Sequence, residues 1–307
     1  MNHCIMRFKK PKFWDYKKPN INSYILWPIS ILIKLIGLFK IIITKKRSSS
    51  IKTICIGNIY IGGTGKTSLS LKINKILNEK KIKTCFIKKF YSDQIDEQNI
   101  LENNGKLFKS KKRSNSLLKA SSEGYKVAIF DDGLQDNSID YDLRIVCFNN
   151  KNWIGNGFTI PSGPLRENIE NIKKYKNVFL NGNDEDLDEI KKFISKIDSN
   201  INIYQGRYIP KNIEDFNINE KFLVFSGIGN HNTFISMLKN NKFNIVRDIE
   251  FPDHYSYSEN DINEIIAISN ELNCKIITTE KDYMRLKKNE TNKIKYIKVD
   301  LEILEKK

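Results

Sequence analysis

The chain alternates short apolar runs with longer segments in which apolar residues recur at helical spacing. Runs rich in Ile, Val, Leu and Phe predict strands at 51–56, 84–88, 127–130, 143–148, 177–180, 221–225, 243–251, 275–278 and 294–299. Amphipathic patterns predict helices at 68–78, 233–239 and 259–272. Strands that alternate with helices are typical of doubly wound parallel sheets, so the pattern predicts an α/β fold.

The most apolar stretch, 24–43, is about long enough to cross a bilayer. Two lysines lie inside it, and a narrow polar stripe recurs at helical spacing, formed by Ser23, Ser30, Lys34 and Gly37. Basic residues flank both ends, so the distribution of positive charge predicts no orientation across a membrane. These features favour a membrane-associated helix lying in the interface, with a single span or burial against the protein's own core as alternatives.

The composition of the chain bears on its partners and its compartment. A formal net charge of +16 over 307 residues favours an anionic partner, either nucleic acid or anionic lipid. The sequence has no RNA-binding signature, no zinc-finger spacing and no basic helix interleaved with aromatic residues, so we expect an anionic membrane surface and no nucleic acid. The five cysteines are scattered singly, which indicates a reducing compartment. No obligate protein partner is evident.

A glycine-rich loop follows the first predicted strand, where residues 57–67 read Gly-Asn-Ile-Tyr-Ile-Gly-Gly-Thr-Gly-Lys-Thr. Strand, glycine loop and helix in this order predict a P-loop, because glycines let backbone N–H groups turn inward around phosphate oxygens. Lys66 would reach the β- and γ-phosphates of ATP, and the Thr67 hydroxyl would ligate Mg²⁺. The strict pattern has glycine where this chain has Tyr60, so the predicted nucleotide-binding residues are Gly62, Gly63, Thr64, Gly65, Lys66 and Thr67.

The apolar strand 127–130 ends in two acidic residues, Asp131 and Asp132, followed by Gly133. A buried strand that closes on a carboxylate is how a Walker B residue reaches the Mg²⁺ beside a P-loop. We therefore predict that the protein binds ATP and Mg²⁺, with Thr67, Asp131 and Asp132 as the metal-binding residues.

Two polar stretches, 181–189 and 201–215, interrupt the strand and helix pattern and mark the crossover into a second domain. We predict an N-terminal membrane-associating segment at 1–47 and a P-loop domain at 48–200. A linker at 201–215 then leads to a smaller C-terminal α/β domain at 216–307.

Further motifs occur in order along the chain, at 131–135 (Asp-Asp-Gly-Leu-Gln), 155–157 (Gly-Asn-Gly), 161–167 (Pro-Ser-Gly-Pro-Leu-Arg-Glu), 225–229 (Phe-Ser-Gly-Ile-Gly), 251–254 (Phe-Pro-Asp-His) and 279–282 (Thr-Glu-Lys-Asp). Together with Gly57-Asn-Ile and the P-loop, they resemble the tetraacyldisaccharide 4'-kinase family, the lipid A 4'-kinases. The resemblance covers nearly the whole chain. The residues of the 279–282 motif suggest no physical role by themselves.

This resemblance implies an ATP-dependent kinase that transfers the γ-phosphate to the 4'-hydroxyl of a tetraacyldisaccharide 1-phosphate, forming lipid IVA in lipid A biosynthesis. It implies a peripheral enzyme of the bacterial inner membrane, with its active site on the cytoplasmic face. It also implies two α/β/α domains joined by a two-stranded linker, with the nucleotide bound between them.

A sugar hydroxyl is a poor nucleophile, so the reaction needs a base close to it. Asp96 and His254 are the candidates, and the resemblance implies that they act as a dyad in which the carboxylate orients the imidazole and raises its basicity. Arg166 and Glu167 are candidates for binding phosphate or the acceptor substrate.

The chain departs from the family in one region. Where the family has Ser-Arg-Gly-Tyr, a longer loop and Gly-Asp-Glu-Pro, this chain has Lys-Lys-Phe-Tyr at 88–91, almost no loop, and Ile-Asp-Glu-Gln at 95–98. Asp96 therefore aligns with the family's catalytic aspartate but lacks the flanking glycine and proline.

Two other classes of protein remain open. A P-loop ATPase that acts as a membrane-bound switch would explain residues 51–136 and the apolar segment, but it leaves His254, Arg166 and the second domain without a role. A nonenzymatic nucleic-acid binder would show a strongly salt-dependent affinity for DNA.

Overall fold

The computed structural model describes residues 10–90, 95–182, 187–253, 255–287 and 292–304. Twelve strands lie within these ranges: β1 (Lys52–Gly57), β2 (Thr84–Lys89), β3 (Leu107–Ser110), β4 (Val127–Asp131), β5 (Leu143–Asn149), β6 (Asn177–Asn181), β7 (Asn202–Pro210), β8 (Lys221–Ser226), β9 (Asn244–Glu250), β10 (Lys275–Thr279), β11 (Ile294–Ile297) and β12 (Val299–Leu304). The same ranges contain eight α-helices: α1 (Ile21–Ile43), α2 (Lys66–Glu79), α3 (Ile95–Asn103), α4 (Arg113–Ser122), α5 (Asp188–Ile197), α6 (His231–Asn240), α7 (Glu259–Glu271) and α8 (Glu280–Tyr283).

Eight strands form the larger sheet in the order β12-β7-β6-β5-β1-β4-β2-β3. All neighbours run parallel except β12, which is antiparallel to β7. Successive residues of β2 enter different apolar clusters, with Cys85 and Ile87 in one and Phe86 in the other. Because side chains alternate across a strand, both faces of this sheet are covered, as a parallel sheet requires.

The smaller sheet has the order β11-β10-β8-β9, and its strands are all parallel. It has apolar clusters of its own, packed around α6 and α7. The predicted α/β class with a second, smaller α/β unit is therefore confirmed.

The chain returns to the larger sheet after building the smaller one. The single strand predicted at 294–299 is two strands, because Lys298 separates β11 in the smaller sheet from β12 in the larger one. The N–H of Lys211 donates to the Lys298 carbonyl at 2.8 Å, so the two chain crossings between the sheets lie side by side. The domain boundaries given above remain a prediction, and the structure adds that 299–304 pairs with the larger sheet.

Helix α1 exposes most of its apolar side chains, with Ile42 80% and Phe39 66% accessible to solvent. Among the described residues it is the one helix long and apolar enough to cross a membrane. The predicted polar stripe divides into two parts: Ser23 and Ser30 are buried, whereas Lys34 and Gly37 are exposed. The Ser30 hydroxyl donates to the Thr159 carbonyl at 2.9 Å, so one side of α1 rests on the loop that precedes Arg166.

Candidate active site

The glycine-rich loop joins the carboxyl end of β1 to α2, and Gly65 caps the helix with a φ of 82°. A Cβ at Gly65 would lie 1.8 Å from the side-chain nitrogen of Asn181, so only glycine fits this position. Gly62 also has a positive φ, of 125°. The loop therefore has the backbone of a P-loop, in which the first N–H groups of α2 can bind an anion.

A buried hydroxyl supports the fit of this loop to phosphate. The Thr64 side chain is 1% exposed, and its Oγ1 has no hydrogen-bond partner within the part of the chain that the structure describes. A buried polar atom without a partner is unfavourable, and a phosphate oxygen would supply the missing bond. This hydroxyl therefore supports the prediction that residues 62–67 bind phosphate.

Tyr60, which stands where the strict P-loop pattern has glycine, lies in the core of the larger sheet and is 2% exposed. Its hydroxyl donates to Asp15 at 2.9 Å and accepts from Lys10 at 2.6 Å. Burial raises the pKa of Tyr60, and the Asp15 carboxylate adds to this effect. Tyr60 therefore ties the N-terminal segment to the core, while the loop at 62–67 has the positive-φ glycines of a P-loop.

The Walker B carboxylate of Asp131 is fully buried at the end of β4. Its oxygens accept from the hydroxyls of Thr67 and Ser70, each at 3.3 Å. The structure thus brings together two of the three predicted metal-binding residues, and their oxygen atoms are of the kind that Mg²⁺ prefers. In the described ranges, this site included, His, Cys, Asp and Glu form no group of three that could hold a metal ion.

Asp132, the third predicted metal-binding residue, accepts a hydrogen bond from the Arg166 guanidinium at 2.8 Å. Burial alone would raise the pKa of Asp132, but the positive charges of Lys66 and Arg166 outweigh it and hold the pKa below its usual value. Asp132 is therefore ionised beside the P-loop lysine, and its role in binding Mg²⁺ stays a prediction.

Sequence reasoning missed a lysine that contacts the Walker B carboxylate. Lys88, at the carboxyl end of β2, is 1% exposed, and its ammonium lies 2.7 Å from Asp131 and 2.5 Å from Glu97 of α3. Burial lowers the pKa of Lys88, but the two carboxylates raise it more, so the group is charged. A lysine directly after the apolar residues 85–87 of the predicted strand was the signal that could have revealed it. We call Asp131, Lys88 and Glu97 the buried charge cluster.

Replacing Lys88 with Met is expected to lower the free energy of unfolding by about 3–5 kcal/mol, because it leaves buried carboxylates without their partner. Urea denaturation measures this change. Lys52→Met is the control, since Lys52 pairs with Asp142 on the surface of the same sheet and is 78% exposed. Equal stability of the two variants would contradict an energetic role for the buried charge cluster.

The two predicted substrate-binding residues lie next to the Walker B motif and share one hydrogen-bond network. Arg166 donates to Gln135 at 3.1 Å as well as to Asp132, while Glu167 accepts from Gln135 at 3.2 Å and from Tyr175 at 2.8 Å. The loop at 161–167 is therefore held against the end of β4 by side-chain contacts at two successive residues.

The predicted dyad is not tested by the structure. Asp96 is the second residue of α3, with its side chain outside the described part of the chain, and His254 lies outside the described residues. Their sequence neighbours do reach the site: Glu97 belongs to the buried charge cluster, and the Asp253 carboxylate lies close to Gly229 at the P-loop. The dyad therefore stays a prediction.

The loop that follows β8 of the smaller sheet touches the P-loop directly. A Cβ added to Gly229 would lie 2.3 Å from the Gly63 nitrogen, so the two backbones meet with no room for a side chain. Nearby, the Asn149 amide donates to the Thr233 hydroxyl of α6 at 3.0 Å. The candidate site thus lies between the two sheets, at the carboxyl ends of β1, β4 and β8, where α/β sheets bind their ligands.

Comparison with known proteins identifies relatives of this fold and sequence. A crystal structure of LpxK from Aquifex aeolicus in complex with ATP superposes with a TM-score of 0.67 over 92% of this chain and 95% of that one, at 21% identity, so the two share a fold. The tetraacyldisaccharide 4'-kinase of Pelagibacter ubique is 60% identical over 98% of this chain and 96% of its own length.

A more distant relative has the same description. The tetraacyldisaccharide 4'-kinase of Rickettsia bellii is 31% identical over 92% of this chain and 91% of its own length. Residues 22–307 match the family described as Tetraacyldisaccharide-1-P 4'-kinase, which confirms the resemblance seen in the motifs. The chain belongs to the tetraacyldisaccharide-1-P 4'-kinase family.

Proposed function

We propose that this protein uses ATP to phosphorylate the 4'-hydroxyl of a tetraacyldisaccharide 1-phosphate, the reaction that forms lipid IVA in lipid A biosynthesis. One observation carries the proposal: a P-loop whose Thr67 contacts a buried Walker B carboxylate, in a chain that belongs to this kinase family. The names of the relatives supply the acceptor, and the loop supplies a place for the triphosphate.

Phosphoryl transfer requires mainly positioning and neutralisation of charge. Lys66 brings a positive charge to the phosphates, and the N–H groups at the start of α2 bind their oxygens. Mg²⁺, when bound, would be held by Thr67, Asp131 and Asp132 and would neutralise part of the phosphate charge.

The acceptor end of the site consists of Arg166 and Glu167. A guanidinium has five N–H donors, and one Arg166 nitrogen makes both bonds to Asp132 and Gln135, so the other nitrogens can bind an anionic group of the substrate. Asp96 and His254 are the proposed base on the sugar hydroxyl, with the carboxylate orienting the imidazole.

An assay with labelled ATP and a disaccharide-1-phosphate acceptor tests the function, with the product separated by thin-layer chromatography. We expect a phosphorylated lipid that forms only in the presence of both substrates and Mg²⁺. ATP hydrolysis that is indifferent to the lipid and stimulated by a protein partner would instead support a nucleotide-dependent switch.

We also propose a peripheral location at the cytoplasmic face of the inner membrane, as the family resemblance implies. The position of α1 supports one part of this proposal, the association with a membrane that holds the acceptor. Its Ser30 contacts Thr159 and Ser162, in the loop that continues to Arg166, while the opposite side of the helix is apolar and exposed. A helix inserted in the interface would therefore hold the acceptor-binding loop beside the headgroups, where a lipid-linked sugar is found.

Replacing Lys45, Lys46 and Arg47 with Glu is expected to weaken binding to anionic vesicles at low salt. These three exposed residues follow α1, and each basic residue near an anionic surface contributes about 1 kcal/mol. Vesicle sedimentation at two salt concentrations measures the effect, with Lys191, Lys192 and Lys196 of α5 changed to Glu as the matched control. Protein that neither high salt nor alkaline carbonate releases would indicate a spanning helix instead.

A further inference from the structure

The 279–282 motif contains a fully buried carboxylate that the site described above does not use. Asp282 accepts from the Gly227 N–H at 3.0 Å, the Tyr257 hydroxyl at 2.9 Å and the Arg285 guanidinium at 3.0 Å. Thr279, which caps α8, donates its hydroxyl to Asp282 at 2.6 Å and accepts the N–H of the same residue at 3.1 Å. Asp282 is therefore a centre to which several elements of the smaller unit are bonded.

One of those elements is the loop that meets the P-loop. Arg285 also donates to the Gly227 carbonyl at 2.8 Å, so both backbone polar groups of Gly227 are bonded by the Asp282–Arg285 pair. Two residues later, Gly229 packs against the backbone of Gly63. The contact between Gly229 and Gly63 is backbone against backbone, so it forms only if the backbone of this loop is correctly placed. Asp282 and Arg285 hold that backbone at Gly227.

The residue before Asp282 makes a second link between the sheets. The Lys281 ammonium donates to one oxygen of Glu97 at 3.3 Å, and the other oxygen of Glu97 accepts from Lys88, which contacts Asp131. Lys281 and Glu97 are 31% and 16% exposed, so solvent screens this pair less than it screens a surface ion pair. Lys281 is thus connected through the buried charge cluster to the Walker B carboxylate.

Electrostatics supports the strength of this link. Burial alone would raise the pKa of Glu97, but the charges of Lys281, Lys88 and Lys66 outweigh it and hold the pKa well below its usual range. Glu97 is therefore an anion shared by the P-loop lysine, the strand lysine and the lysine of the 279–282 motif.

We propose that the 279–282 motif positions the smaller sheet and α3 against the phosphate site. Asp282 sets the loop at 226–230 that touches the P-loop, and Lys281 holds Glu97, the residue next to Asp96. Both are positioning residues, since they act through groups at the site. The catalytic part of this inference rests on the proposed kinase function.

Replacing Lys281 with Met tests the link without disturbing the buried Asp282. We expect kcat to fall about tenfold, the order of coupling between contacting residues in one ion-pair network, with the KM for ATP changed less than about twofold. Lys281→Arg should keep most of the activity, because it keeps the charge. Lys287→Met is the matched control: Lys287 pairs with Glu259 inside the smaller unit, and this variant should behave as the wild type.

Hydrogen exchange of the full-length protein provides a readout that does not depend on catalysis. In the Lys281→Met protein, amide exchange of α3 should become faster than in the wild type, with an unchanged Tm. If the wild type transfers no phosphate, the proposed function fails, and this exchange measurement still decides the inference. Wild-type exchange in the Lys281→Met protein would overturn it, as would a fall in kcat without faster exchange in α3.

A double-mutant cycle with Glu97→Gln separates a direct link from two independent effects. If Lys281 acts through Glu97, the double variant should have the same kcat as Glu97→Gln alone. Strictly additive losses would mean that Lys281 acts elsewhere and would overturn the inference.

Discussion

Lys66→Ala protein is expected to transfer no measurable phosphate, a loss on the order of 10³-fold or more, which is the range that one positive charge on a transferring phosphoryl group contributes. The reason is that Lys66 is the first residue of α2, directly after the glycine loop, and its positive charge reaches the ionised Asp132. Thr67→Ala should have a comparable effect, because it removes the hydroxyl that contacts Asp131. The transfer assay with labelled ATP measures both.

Two variants serve as controls for this result. Lys75→Ala removes an exposed lysine from the same helix and should keep wild-type turnover. Thr67→Ser retains the hydroxyl and should keep most of the activity. Wild-type turnover in a folded Lys66→Ala protein would end the P-loop hypothesis.

The second large effect is expected at the proposed dyad. Asp96→Ala and His254→Ala should each lower kcat by about 10²–10⁴-fold, the contribution typical of general-base assistance. The affinity for ATP should change little, because neither residue belongs to the P-loop. Since groups that act as one unit are non-additive, the double variant should be hardly slower than the slower single variant.

Additive losses would separate the two roles, for example with Asp96 acting on Mg²⁺ and His254 on the sugar. Unchanged kcat in the His254→Ala protein would exclude the dyad and leave Asp96 or a Walker B carboxylate as the base. Calorimetric titration with ATP provides the accompanying measure of nucleotide affinity.

Local patterns in the sequence were enough to predict most of the fold. Strands such as β1 and β4 are buried on both faces, so their apolar runs stand out, and the glycine loop between β1 and α2 marks the phosphate site. The segment from 95 to 122 was harder. Its strand β3 has only Leu107 and Phe108 as buried residues, and α3 and α4 carry many polar side chains, so no apolar run or stripe marks them.

The contacts that complete the site could not be predicted from the spacing of residues along the sequence. Lys88 and Asp131 are 43 residues apart, and Lys281 and Glu97 are 184 apart, so no local pattern connects them. Only the parallel pairing of β2 with β4 and the packing of the smaller unit bring these charges together. The 279–282 motif could be matched to the family, but its sequence indicated no physical role, because the groups that it contacts lie in distant parts of the chain.

Strand β12 joins the larger sheet only after the chain has passed through the whole smaller unit. During synthesis, β7 is therefore made well before β12, its antiparallel neighbour. The outer edge of β7 has no partner strand while residues 211–298 are being made. An unpaired edge can pair with another chain, so this edge is where a nascent or shortened chain is open to aggregation. Because the Lys211 N–H and the Lys298 carbonyl are hydrogen-bonded, a smaller unit that folds first delivers β12 directly to that edge.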